Sequence, residues 1–138
     1  MNSEILNLVN AYATEKNFSR RAPSETMIDD CQARLNVILP KQYLEFLESL
    51  GQGGFNGVYV VGISRAGKPQ FLEETLEYRE YGLPENLIFL ENCDEWLYCL
   101  DCLSGTVVKW SPDDAALEAY ATFDDYLLDR LRDAAENL

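Results

Sequence analysis

Apolar positions recur with helical spacing through the first fifty residues and with the shorter period of strands through much of the rest. Ile5, Leu6, Val9 and Tyr12 form one stripe, so a first helix is expected with Ser3 as its cap. Asn17 to Pro23 is polar and reads as a loop. Ser24 caps a second helix with Ile28, Cys31 and Leu35 turned toward the core, and Asn36 suits the left-handed position that ends it. Pro40 fits the first turn of a third helix, where its missing N–H costs nothing. Tyr43, Phe46, Leu47 and Leu50 then fall at i, i+3, i+4 and i+7, and Gly51 stops the helix.

Beyond the glycine cluster Gly51 to Gly57 the period changes. Val58 to Ile63 is β-branched and aromatic and predicts a strand; Arg65 to Pro69 predicts a turn. Leu72 to Tyr81 predicts a helix with Leu72 and Leu76 inward, ended by Gly82-Leu83-Pro84. Strands are expected at Leu87 to Leu90, Glu95 to Asp101 and Thr106 to Trp110. The last two form a hairpin through Leu103-Ser104-Gly105, which sets Asp101 opposite Thr106 and Cys99 opposite Val108. Ser111 to Asp114 is a turn sequence, and Leu117 to Ala121 alternates as a further edge strand. Thr122 with Asp125 resembles a capping box opening a final helix through Phe123, Leu127 and Leu131. Helices first, then strands joined by short turns, then a closing helix imply an α+β fold with a mainly antiparallel sheet, in one domain spanning residues 1–138.

Composition narrows the function. The chain has 138 residues and a hydrophobic fraction of 47%, enough to build a core without disulfide or metal staples. No apolar run approaches the roughly 20 residues of a membrane span. Ala11-Tyr12-Ala13 mimics a signal-peptide cleavage site, but Met1 to Glu4 lacks a basic start, so a cytoplasmic location is expected. The absence of histidine removes the usual general base, the Ser-His and Cys-His nucleophile pairs and the commonest metal ligand. Residues 1–69 carry seven Lys/Arg and seven Asp/Glu, whereas residues 70–138 carry four against seventeen, so the second half alone supplies the net charge of −13. A one-signed field steers basic partners inward and repels nucleic acid and anionic membrane. Solubility alone is the plainer meaning of such charge.

Three groups of residues invite a chemical reading. Gly51-Gln52-Gly53-Gly54-Phe55-Asn56-Gly57 lies between helix and strand and contains no lysine, the reverse of a phosphate loop, and reads as a helix stop followed by tight turning. Cys99 and Cys102, with Cys93 upstream, have thiol-redox or zinc spacing, but residues three apart on a strand point to opposite faces, and a zinc site would need Cys31 to arrive from the second helix. Reduced structural thiols are expected, with no metal and no cofactor. Among the acids, adjacent pairs such as Asp124-Asp125 share no face and form no catalytic dyad. Glu73, Glu77 and Glu80 do share one, forming a ridge opposite Leu72 and Leu76 with only Arg79 nearby to offset it. Such a ridge is either a solvated face or a binding surface.

Leu39 to Leu47, Gly53 to Gly57, Tyr78 to Pro84 and Asp94 to Asp101, followed by Val107 to Trp110 and Phe123 to Leu127, resemble in their order the SUKH superfamily, the Smi/Knr-like family of fungal cell-wall-assembly regulators and bacterial immunity proteins. The resemblance implies an α+β fold in which Pro40, Tyr43, Phe46, Gly54, Gly57, Trp96 and Asp101 are fold determinants rather than a catalytic set. It further implies protein binding, since bacterial members typically neutralise polymorphic toxins, often nucleases. Where many relatives have Asn-Gly-Gly after the third helix, this chain has Gly51-Gln52-Gly53-Gly54.

Charge and resemblance converge on a non-enzymatic immunity-type protein whose partner is a basic protein, a toxin domain, with Glu73, Glu77, Glu80, Asp94 and Glu95 as partner-facing residues and no direct contact with nucleic acid or membrane. The alternatives are a regulatory scaffold of the cell-wall-assembly type and an enzyme or metal protein built on carboxylates and Cys99/Cys102. Shifted acids clustered in one pocket would favour the latter.

Overall fold

The computed structural model describes residues 1–138. In chain order it contains α1 (Ser3–Tyr12), α2 (Glu25–Leu35), α3 (Lys41–Ser49), α4 (Gln70–Arg79), β1 (Leu87–Asn92), β2 (Leu97–Asp101), β3 (Val107–Ser111), β4 (Asp114–Tyr120) and α5 (Phe123–Glu136). The fold is α+β, with all four strands antiparallel in the order β1-β2-β3-β4.

Most helix ends follow local chemistry. Ser24 accepts the Met27 N–H at 3.1 Å, Asn36 ends α2 at φ 57°, and Thr122 accepts the Asp125 N–H at 3.1 Å. Two caps are displaced from expectation. Asn2, not Ser3, caps α1, its carbonyl oxygen accepting from Glu4 at 2.8 Å and Ile5 at 3.2 Å. Pro40 stands one residue before α3 with extended backbone, φ −59° and ψ 146°, instead of inside the first turn. Helix α4 starts at Gln70 and stops at Arg79, so Phe71, Leu72 and Thr75 are buried while Leu76 is only half-buried.

Val58 to Ile63 is not a strand. Its hydrogen bonds go to different neighbours in turn: Val60 pairs with Gly53, the Val61 N–H donates to Leu90 O at 2.9 Å, the Gly62 N–H to Gln52 Oε1 at 3.0 Å and the Ile63 N–H to Gly51 O at 3.0 Å. Val58, Val60, Val61 and Ile63 are all buried, so the segment is a core-filling strap without the alternation of a strand. Gln52 organises it, donating also to Tyr59 Oη at 2.8 Å and Gln70 Oε1 at 2.9 Å. This buried glutamine links the α3 end, the strap and the α4 start. At Gly54 a Cβ would lie 1.9 Å from Val58 O, so only glycine permits that approach.

Under the strap, Tyr43 and Phe46 are fully buried, and Tyr43 contacts Phe46, Phe71 and Phe123 at centroid distances of 5.9, 5.6 and 5.4 Å. The Tyr43 hydroxyl donates to Val61 O at 2.8 Å, which satisfies its one buried polar atom.

The hairpin register follows the sequence pattern: Cys99 lies opposite Val108 and the Asp101 N–H donates to Thr106 O at 2.9 Å. A bulge in β1 could not be foreseen. Phe89 pairs with Cys99 and Glu91 with Tyr98, adjacent residues of β2 whose side chains point to opposite faces. The bulge therefore sends Phe89 toward α4, where it meets Tyr78, and Glu91 toward α5, where it meets Tyr126 and Arg130.

Candidate partner-binding surface

The β1–β2 connection is a tight turn that its own polar groups hold. The Asp94 N–H donates to Asn92 Oδ1 at 2.8 Å, Glu95 N–H to Cys93 O at 2.8 Å and Cys93 N–H to Trp96 O at 3.0 Å. Asp94 takes a left-handed φ of 66°, which a short polar side chain tolerates. Both Asp94 and Glu95 are exposed.

Facing this turn is the end of α4, where Gly82 at φ 100° reverses the chain and the Leu83 N–H closes onto Tyr78 O at 3.2 Å. Tyr81 stands 66% exposed. A cleft of about 210 Å³ lies between them, lined by Tyr78, Tyr81, Asp94, Glu95, Trp96 and Trp110, with the β3–β4 turn at its rim. The structure thus brings Asp94 and Glu95 to the same cleft as Tyr81, the neighbour of Glu80. Glu73 lies farther off, about 10 Å up the helix from Glu80 at 1.5 Å per residue.

Glu73, Glu77 and Glu80 are exposed, and none has an ion-pair partner. Arg79 does not offset them. Its Nη2 donates to Leu35 O and Glu85 O, both at 2.8 Å, so its charge closes the end of α2 instead of facing the ridge. Nor do Asp94 and Glu95 take part in a salt bridge. Lys109 is the cation at hand, its Nζ 4.4 Å from the Trp96 ring centroid in a cation–π contact. Aromatic walls beside free carboxylates suit a lysine or arginine side chain.

Glu91 has the opposite character. It is 3% exposed, accepts from Tyr126 Oη at 2.9 Å, and takes both Arg130 Nε at 3.0 Å and Nη2 at 2.8 Å in a bidentate pair. Its hydrogen bond holds the Arg130 guanidinium still more firmly in its charged form. Sequence reading missed this pair because nothing in a run of acids marks the one that is buried.

The remaining candidates have structural placements. Gly57 turns at φ +88°, and the side chain of the adjacent Asn56 ties this loop to Ala134 O of α5 at 2.9 Å. Trp96 meets Tyr98 edge-on at a centroid distance of 5.9 Å. Asp101 accepts from the Leu103 and Ser104 N–H groups at the hairpin turn; burial opposes its charge, but these bonds and the Asn86 side chain hold its carboxyl below the usual range.

The thiols are quiet. Burial pushes Cys31 and Cys93 up to about 11 and Cys102 to about 12, and Cys99 higher still. No three Cys, Asp or Glu side chains converge as a metal ion requires. Burial also raises the Glu74 carboxyl on α4 and, together with the nearby Glu45, the Asp124 carboxyl at the start of α5; neither lines the acidic cleft. A larger depression, about 520 Å³, lies elsewhere, between the α2 end and the β2–β3 turn, with Glu85 its one acid.

Comparison with known proteins decides the family. A family model described as SUKH_5, SMI1-KNR4 cell-wall, matches residues 3–132. The chain belongs to the SUKH superfamily. A crystal structure of a protein from Pseudomonas syringae pv. tomato is similar in fold to this SUKH chain, with a TM-score of 0.65, 20% identity, and coverage of 86% of this chain and 89% of that one. No helix here is long and apolar enough to cross a membrane.

Proposed function

We propose that this SUKH chain is a non-enzymatic, cytoplasmic immunity-type protein that binds and neutralises a basic toxin domain through the α4 ridge and the adjoining cleft. One observation carries the reading: Glu73, Glu77, Glu80, Asp94 and Glu95 are all exposed with no internal ion pair, and the last two border a cleft walled by Tyr78, Tyr81, Trp96 and Trp110. A nuclease toxin must present cations to attract phosphate, so an acidic protein can occupy the same field and associate quickly. The aromatic walls then add a face on which one cationic side chain can pack beside the carboxylates.

Survival and complex formation on co-expression with the toxin encoded beside this gene test the proposal. Charge reversal at Asp94 and Glu95 is expected to lower both. A toxin bound equally well after reversal at all five acids would overturn it. The cell-wall description of the matched family supports a second reading, a regulatory scaffold. The absence of any adjacent toxin gene, with the chain isolated in an assembly of other basic proteins, would favour that reading.

A further inference from the structure

The two edges of the sheet are treated differently. On β1 the outer backbone is closed: Leu90 O accepts from Val61 N–H at 2.9 Å and the Phe89 N–H donates to Thr75 Oγ1 at 3.0 Å. On β4 nothing corresponds. Apart from its ladder with β3, no backbone N–H or C=O of residues 114–120 bonds to any other part of the protein. Asp114 to Glu118 are exposed, and only the C-terminal end of the strand is covered, where Ala119 and Tyr120 are half-buried and Tyr120 meets Tyr126 and donates to Asp129 of α5.

Composition makes the open edge more pointed. Asp-Ala-Ala-Leu-Glu-Ala-Tyr is poor in the β-branched residues that favour strands, so the ladder to β3 is what holds it. The strand and its preceding turn carry Asp113, Asp114 and Glu118 and no cation. A second copy paired here in parallel register would set Asp114 against Asp114 and Glu118 against Glu118, and in either direction the pairing would bring together two chains of net charge −13. The same acids attract a basic strand.

Register specifies the face. Glu118 lies opposite Val108 and Leu117 opposite Lys109, adjacent residues of β3, so the acid and the apolar side chain point to opposite sides. Leu117 is 67% exposed and borders a shallow depression with Tyr98, Tyr120 and Lys109, whose ammonium is turned onto the Trp96 ring.

We infer that β4 is a strand-addition surface that takes an amphipathic β-strand of a partner protein, with basic residues on the Glu118 side and apolar residues on the Leu117 side. Main-chain hydrogen bonds supply the attachment and the alternate side chains the selectivity. The inference deepens the binding role above and rests on its basic partner, but its test requires no toxin, so either can fail alone.

The probe is a seven-residue peptide alternating lysine and valine, matched to the length of β4. It is added to the full chain while amide hydrogen exchange is followed. Exchange of the outward amides of residues 114–120 is expected to slow about tenfold. A glutamate–valine peptide and a lysine–valine peptide with alternate amides N-methylated are expected to leave it unchanged. Glu118→Lys, at an exposed position, should lose the effect of the basic peptide. Equal effects from the N-methylated peptide would reduce the site to charge attraction and overturn the inference. So would protection confined to α4 and the cleft, or no protection at all. Self-association of the free protein through β4 would assign the edge to a second copy and overturn it as well.

Discussion

Glu91 and the α4 ridge are built from the same residue type and behave as opposites. Glu91 is enclosed by Tyr126 and Arg130 with its oxygens accepting three hydrogen bonds, whereas Glu73, Glu77 and Glu80 point to solvent without a partner. The net charge of −13 counts both alike. What separates a structural acid from a binding acid is the set of groups the fold places around it, and the two respond to substitution in opposite ways.

The sharpest contrast comes from removing the partner of the buried acid. Arg130→Met leaves Glu91 buried and uncompensated, and should cost about 3–5 kcal/mol in denaturant unfolding. A loss within the range of a surface substitution would erase the distinction. Phe46→Ala, in the aromatic cluster around Tyr43, should cost a similar amount, about 3–5 kcal/mol, by removing transfer energy and leaving a cavity. It calibrates the ion pair against ordinary packing. Unchanged unfolding there would mean that the cluster does not anchor α3.

Reversing the ridge with Glu77→Lys and Glu80→Lys moves the effect from folding to binding. Stability should change by no more than about 0.5 kcal/mol, while association with a basic toxin slows about tenfold or more at low salt. At roughly 1 M salt, where the screening length is about 3 Å, the two proteins should associate at similar rates. Equal rates at low salt would return the ridge to a merely solvated face.

Thiol labelling probes the same division between enclosed and open surface. An acid whose native pKa is raised is less ionised when folded: Cys93, moved from 9.0 to about 11, holds about a hundredfold less thiolate at pH 8 than when unfolded. Alkylation at pH 8 should therefore be slow in the native protein and rapid in denaturant. Rapid native labelling would show an activated thiol and revive the redox reading. The smallest effect is expected at the ridge itself, where Glu77→Gln relieves repulsion from Glu73 one turn away. Stability should rise by about 0.2–0.5 kcal/mol, a gain that salt should also produce in the wild type.

Short-range grammar was legible in the sequence. The stripes of α2 and α3, Ser24 and Thr122 as caps, Asn36 as a helix stop and the β2–β3 register all depend on residues within a turn or hairpin of one another. The same local reasoning misjudged Val58 to Ile63. Its β-branched residues satisfy strand propensity, but its hydrogen bonds are divided among Gly51, Gln52, Gly53 and Leu90, which no periodicity describes. Leu117 to Ala121 was legible as an edge but placed late, since β4 begins at Asp114 in a stretch of low strand propensity that its partner strand imposes.

By itself, then, the sequence determined the α+β order of elements, the inward faces of most helices, the asymmetric charge and the family, because each resides in neighbouring residues or in their order. Tertiary structure decided which acids serve the core and which remain free. Arg130 reaches Glu91 across 39 positions, and Arg79 is drawn across 44 positions to Leu35 and away from the ridge beside it. The cleft joins α4, the β1–β2 turn and the β3–β4 turn, and the two edges of the sheet differ because the strap and α4 bond to β1 while no element pairs with the outer side of β4. Such choices depend on long-range packing, in which a side chain's role is set by the partners the fold places around it.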